Sequence, residues 1–368
     1  MRIIQINVYS APLPVLGGTY RMASGSIDFV ESTLVEVIAD NGIAGWGETC
    51  SNGPVYQPQH TLGARAAIQE IAPGLIGEEA SSIRSLSRRM DARLSGHNYA
   101  KAALDIAFHD LLGRSFGLSV ATLLGGALTD RVETYYSLVV GYPNETARIA
   151  ADKVLKGYPR LQVKIGGHDI ENDIETVHKV WEATAGKVRI AVDANRGLTV
   201  AAAIQLSRSC QAIPIVLEQP CNTFDEVASL RGRVWHPVYL DENTEDQNVV
   251  LRAISLGIAD GFGLKVTRLG GLSKMTAVRD MCAIRSLPHS SDDTWGGDII
   301  AAACVHLGST VEPRRFEGAW IAQEYIDGHY DSANPITIRE GHIAVPQGPG
   351  LGVKPDPGIF GKPIASYG

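Results

Sequence analysis

The chain has 368 residues, 45% of them hydrophobic and 20% charged, and a net charge of -7. That length suits a barrel of roughly 200 to 250 residues plus a second, smaller unit. An acidic balance without any Lys/Arg block excludes nucleic acid and anionic membrane surfaces as expected partners, because both demand clustered cations.

The amino terminus, Met1-Arg2-Ile3-Ile4-Gln5-Ile6-Asn7-Val8, alternates like a strand and lacks the apolar block of a signal peptide. Strand-like runs at 3–9 and 31–39, the second closed by Asp40-Asn41-Gly42, give way to helical periodicity at 61–72 and 100–114. Gly117 and the Gly125-Gly126 pair punctuate the end, so residues 1–125 are expected to form a small α+β unit. Beyond residue 130, short β-branched runs alternate with amphipathic stretches of helix length. Strands are predicted near 133–140, 160–165, 188–193, 214–218, 237–241, 261–266, 286–291 and 312–317. Eight strands alternating with helices predict an α/β fold of the (β/α)8, TIM-like barrel type over 126–325. The tail, 326–368, carries strand-like pieces at 336–338 and 343–345 and a Gly/Pro-rich run from Pro346 to Gly352. It cannot extend a closed barrel and is expected to return to the first unit. No stretch approaches the roughly 20 apolar residues of a membrane span. The five cysteines are scattered without a C-x-x-C pair, as expected of reduced thiols in a cytoplasmic protein.

Polar residues interrupt the predicted strands at their carboxyl ends: Lys164, Asp193, Glu218, Asp241, Lys265, Asp292 and Glu317. Their spacings of 29, 25, 23, 24, 27 and 25 residues match one strand-helix unit each. In a barrel such ends converge on the face that carries active sites. A single Asp there is more often a helix cap, but seven in register are hard to explain that way. Asp193, Glu218 and Asp241 offer only oxygen ligands, which suits Mg2+ over Zn2+. Asn195 and Glu242 stand beside them and are candidates for orienting the ligands. Lys164 and Lys265, each in an apolar strand, are expected to face each other across the mouth as acid and base. A neighbouring metal and a second cation would lower a lysine's pKa into the useful range. His109 reads as a core or interface residue and His289, placed at the seventh strand near the site, as structural before functional, while Arg268 reads as support for Lys265 or a carboxylate.

Asp193-Ala194-Asn195, Glu218-Gln219-Pro220, Asp241-Glu242 and Lys265-Val266-Thr267-Arg268-Leu269-Gly270-Gly271 resemble the strand-end motifs of the muconate lactonising enzyme subgroup of the enolase superfamily. Gly45-Trp46-Gly47-Glu48, the run from Ala103 to Leu111, and Pro349-Gly350-Leu351-Gly352 are similar to its capping domain and closing segment. The resemblance implies one Mg2+ holding the substrate carboxylate, lysine abstraction of the neighbouring proton, an enediolate, and a symmetric homo-oligomer. One departure is Gln162, where the subgroup usually places the first lysine of Lys-x-Lys.

Narrower signatures are Tyr20 to Gly25, Gly47 to Cys50, Gly96 to Lys101 and Asp292 to Asp298. They resemble members of that family that act on proline-like amino acids, by epimerising hydroxyproline betaines or dehydrating cis-3-hydroxyproline. The loops 17–25 and 53–56 are expected to fold over the mouth opposite Trp320. Tyr20, Tyr56 and Trp320 would then form an aromatic wall around a cation, with Asp292 pairing an amine and Trp295-Gly296-Gly297-Asp298 forming an adaptable polar loop. An aromatic cage fits a methylated nitrogen, so 2-epimerisation is the expected outcome. Loss of a 3-hydroxyl from the same enediolate is the alternative, and metal and carboxylate binding without turnover is the non-enzymatic one.

Overall fold

The structure is a computed structural model that describes residues 1–23, 25–53 and 56–368. Ser24, Pro54 and Val55 of the two expected mouth loops lie outside the described residues. The chain opens with β1 (Ile3–Pro14), a short hairpin of β2 (Tyr20–Met22) and β3 (Gly25–Ile27), then β4 (Phe29–Ala39) and β5 (Ala44–Cys50). β1 pairs antiparallel with β4 from Ile3–Ala39 to Pro14–Phe29, and β4 with β5. The intervening turn needs Gly42, whose φ is +78°.

Three helices follow: α1 (Thr61–Ile71), α2 (Ile83–Arg93) and α3 (Asn98–Phe116). In α1 the buried residues Ala64, Ala67, Ile68 and Ile71 recur at helical spacing, and the His60 ring caps the start by accepting from the Gly63 amide. The long α3 is buried nearly all round because β5 covers one side of it and the barrel another. That contact explains Gly47: a Cβ there would lie 1.8 Å from the carbonyl oxygen of Ala103.

The larger unit begins with β6 (Arg131–Glu133). β7 (Tyr136–Leu138), β8 (Arg160–Lys164), β9 (Arg189–Asp193), β10 (Ile215–Glu218), β11 (Val238–Leu240) and β12 (Gly261–Phe262) lie side by side in a parallel sheet in that order. Helices such as Pro143–Leu155, Ile170–Thr184 and Leu272–Arg285 connect them. The seventh and eighth predicted strands are reduced to single parallel bridges, Phe262–His289, Lys265–Asp292 and His289–Phe316. The ring closes where the Ala319 amide donates to the Glu133 carbonyl at 2.9 Å. Parallel strands buried on both faces explain the continuous apolar runs.

In the tail, β13 (Ile338–Arg339) pairs with β14 (His342–Ala344), β14 pairs with β6, and β15 (Ala365–Tyr367) pairs antiparallel with β1. The tail thus binds both units. All five cysteines are buried and unbridged. Among the described residues no helix is long and apolar enough to cross a membrane.

Candidate active site

Register places the polar strand ends at one level. Lys164 lies opposite Asp193, Asp193 opposite Glu218, and Lys265 bridges to Asp292. Asp241 follows β11 directly. Ligand atoms of Asp193, Glu218 and Asp241 all lie within 4.8 Å of one another, and all three residues are buried. The Lys164 ammonium sits 2.5 Å from Asp193 Oδ2 and that of Lys265 sits 2.7 Å from Asp241 Oδ2. Arg268 reaches Asp241 Oδ1 with Nη1 at 2.6 Å.

Three like charges this close, out of water, require a cation. Burial pushes the Glu218 carboxyl up, and the Asp193 and Asp241 charges add to the rise; Arg160, 3.5 Å away, and Lys164 pull it down without offsetting it. Burial would raise Asp241 too, but Lys265 and Arg268 outweigh it and hold the group below the usual carboxylate range. For Lys164, burial lowers the pKa, yet Asp193, Tyr20 and Glu218 more than compensate and raise it. Lys265 is raised for the same reason, chiefly by Asp241 against burial. In this arrangement the ammonium groups themselves neutralise the carboxylates, which is why both lysine pKa values are raised. Glu218 Oε2 is buried with no hydrogen-bond partner among the described residues. An all-oxygen set of three buried carboxylates with ligand atoms within 4.8 Å of one another fits a hard divalent ion of the Mg2+ type.

Asn195 donates its side-chain amide to Asp193 Oδ2 at 3.2 Å and to Glu242 Oε1 at 3.0 Å. Its φ of +43° is one that Asn tolerates better than most residues. Arg268 also bonds the Thr244 hydroxyl and the Gly263 carbonyl, so its charge is fixed against Asp241.

Tyr20, Tyr56, Asp292 and Trp320 line one small cavity with Lys164 and Lys265. The aromatic wall differs from the expected trio. Tyr20 and Trp320 are joined through Trp295 and Tyr325, with ring centroids 5.3 to 5.7 Å apart at Tyr20–Trp295, Tyr20–Tyr325, Trp320–Tyr325 and Trp295–Trp320. Tyr56 instead donates to Asp241 Oδ2 at 3.3 Å, and the Lys265 ammonium lies 5.7 Å from its ring centre. Asp292 accepts from the Trp320 amide at 2.8 Å and from the Ser290 hydroxyl.

Two expectations are corrected. Glu317 does not face the mouth: it meets Arg160 and Arg189, the residues that open β8 and β9, at the opposite end of the strands. The eighth strand is displaced, and Trp320 takes the mouth position. The segment Trp295 to Asp298 is not an adaptable polar loop but is buried, with Trp295 in the wall and Asp298 held by the Tyr330 and Ile336 amides. Glu48 fastens this segment to β5, accepting from the Gly297 and Ile300 amides at 2.8 and 3.0 Å, from Ser32 and from Tyr330. Neither Tyr325 nor the anchoring of Trp295 has a local sequence signal, since each depends on distant partners.

Residues 5–125 match the model of the mandelate racemase/muconate lactonizing enzyme N-terminal domain, and residues 145–359 that of the enolase C-terminal domain-like family. The chain is 36% identical to the cis-3-hydroxy-L-proline dehydratase of Roseibium aggregatum over the full length of both chains. It is 28% identical to muconate cycloisomerase 1 of Rhodococcus opacus over 96% of each. A member of the enolase superfamily from Roseovarius nubinhibens, solved with magnesium, superposes with a TM-score of 0.94 at 32% identity, covering 100% of this chain and 99% of that one. With its barrel, its cap and its three mouth carboxylates, the chain belongs to the mandelate racemase/muconate lactonizing enzyme family of the enolase superfamily, whose members are isomerases and lyases.

Proposed function

We propose that the protein removes the proton beside the carboxylate of a proline-like amino acid and returns one to the opposite face, giving 2-epimerisation. The observation that carries this reading is the pair of buried lysines, each seated on a mouth carboxylate and both lining the cavity that holds the aromatic wall. Asp193, Glu218 and Asp241 would hold Mg2+, which when bound neutralises the charge gathering on the substrate carboxylate. A bound ion would take over the neutralisation of Asp193 and Asp241 from the two lysines, and one lysine could then lose its proton and act as base. The other, still protonated, supplies a proton to the opposite face of the same carbon. Arg268 and Asn195 keep Asp241 and Asp193 in place while this happens. The rings of Tyr20, Trp295 and Trp320 offer π faces, and Asp292 a carboxylate, to a cationic ring nitrogen.

The relative from Roseibium aggregatum favours a second reading, dehydration of cis-3-hydroxy-L-proline. Both outcomes share the first proton abstraction, and a hydroxyl on the adjacent carbon would leave with the proton that the second lysine supplies. Proton NMR in D2O, with Mg2+ and a panel of prolines, hydroxyprolines and their betaines, separates the two. Exchange of the α-proton with new stereoisomer signals is expected for epimerisation, and a cyclic imine for dehydration. Absence of exchange across the whole panel would overturn both.

A further inference from the structure

β7 is the edge of the six-stranded parallel sheet, and past Ala319 the chain that would form its next neighbour turns away. The peptide of Ser137 would therefore be left unpaired in the interior, which is costly. The Tyr325 hydroxyl replaces the missing strand. It accepts from the Ser137 amide at 3.0 Å and donates to the Ser137 carbonyl at 3.1 Å. Ser137 lies in register with Gln162 on β8, and its hydroxyl donates to Gln162 Oε1 at 2.6 Å. Ser137, Gln162 and Tyr325 are all buried. With its oxygen engaged, the Gln162 amide presents its nitrogen away from Ser137; that nitrogen has no partner among the described residues and is not sealed, and Gln162 lines the cavity beside Lys164.

We propose that Ser137 and Tyr325 are positioning residues that fix the orientation of the Gln162 amide, so that an uncharged N–H donor, and not the carbonyl oxygen, faces the substrate. The alternative orientation would turn an acceptor towards a substrate that carries a carboxylate. A flipped amide would then repel what the N–H donor attracts. Because Tyr325 also packs on Tyr20 and Trp320 and accepts the Leu16 amide at 2.8 Å on its carbonyl, the same residue ties this donor to the aromatic wall and to the end of β1. The inference rests on the proposed reading of the cavity as the substrate site.

The test is a double-mutant cycle on the Mg2+-loaded protein, with the dissociation constant of proline betaine measured by calorimetry and KM and kcat from α-proton exchange. Ser137→Ala, Tyr325→Phe and Gln162→Met are each expected to weaken binding by about tenfold, with kcat changed far less than KM. The Ser137→Ala/Gln162→Met and Tyr325→Phe/Gln162→Met pairs should be no weaker than Gln162→Met alone, because the first residue acts only through the second. Additive losses, or a loss in kcat with KM unchanged, would overturn the relay. A readout independent of ligand comes from the side-chain amide signals of Gln162 in nitrogen-15 spectra. The amide nitrogen and proton shifts of Gln162, set in the wild type by the Ser137 hydrogen bond to its carbonyl oxygen, are expected to move towards those of a free glutamine amide in Ser137→Ala. Unchanged signals would sink the relay even if no proline-like ligand binds, whereas that movement with no binding would overturn only the assignment of the substrate.

Discussion

The phenol of Tyr56 donates to Asp241 Oδ2 across 3.3 Å, so a residue of the first unit touches one of the three mouth carboxylates of the barrel. The same oxygen receives the Lys265 ammonium at 2.7 Å. Tyr56 therefore shares in setting the charge and position of Asp241, and burial together with the Asp241 and Glu242 charges pushes its own pKa well up, keeping it a neutral donor. Tyr56→Phe keeps the ring and removes only the donor. We expect α-proton exchange to slow by about tenfold, the scale of one hydrogen bond to a charged group, with the melting temperature almost unchanged. A large fall in melting temperature with normal exchange would show the contact to be structural only.

Lys164 and Lys265 occupy separate carboxylates, and this separation has a stereochemical consequence. Lys164→Ala and Lys265→Ala should each lower net turnover by about a thousandfold, within the usual range for a general acid or base. Each variant should still exchange the α-proton of one stereoisomer, and the two should differ in which. Polarimetry with deuterium exchange reads this directly. Loss of exchange for both isomers in one variant would mean that this lysine holds the site together and does not serve one face.

Glu48 accepts four hydrogen bonds from two units at once, and a carboxylate is the side chain that can do so. Glu48→Gln replaces one acceptor by a donor facing backbone N–H groups. Chemical denaturation should report a loss of about 2 to 4 kcal/mol, because buried donors are left unpaired. Since the segment it holds carries Trp295, KM for a cationic substrate should rise as well. Unchanged stability would contradict the anchoring role.

His306 supplies a pH signature away from the mouth. Its ring accepts the Ala121 amide on Nδ1 and meets the Leu351 carbonyl with Nε2, so it fits as a neutral imidazole. Burial lowers its pKa from 6.5 to about 4. A depressed folded-state value means stability that is present above pH 6.5 and is lost as the pH falls through the folded value. The loss should approach about 3 kcal/mol below pH 4. Melting curves between pH 7 and 4 should be flatter for His306→Gln than for the wild type; equal slopes would refute the assignment.

The barrel was legible in sequence because its signal is local and repeated. An apolar run that ends in Lys, Asp or Glu every 23 to 29 residues reads the same wherever it occurs, and β8 to β12 fall where that rhythm places them. The rhythm misleads at the eighth strand. Glu317 keeps the spacing, yet the chain is shifted, and Trp320 arrives at the mouth in its place. The helix α2 was not expected, its sequence being short and highly charged, and packing on α3 and α1 stabilises it.

The amino-acid sequence by itself determined the parallel architecture, the three carboxylates and the two lysines, since strand period and side-chain direction are properties of neighbouring residues. Tertiary structure alone decided which rings meet, that Trp295 is buried, that Arg268 locks onto Asp241, and that Tyr325 completes the edge of β7. Those pairings join residues tens to hundreds of positions apart, and their energies come from burial and from satisfying polar groups that only closure of the barrel brings together.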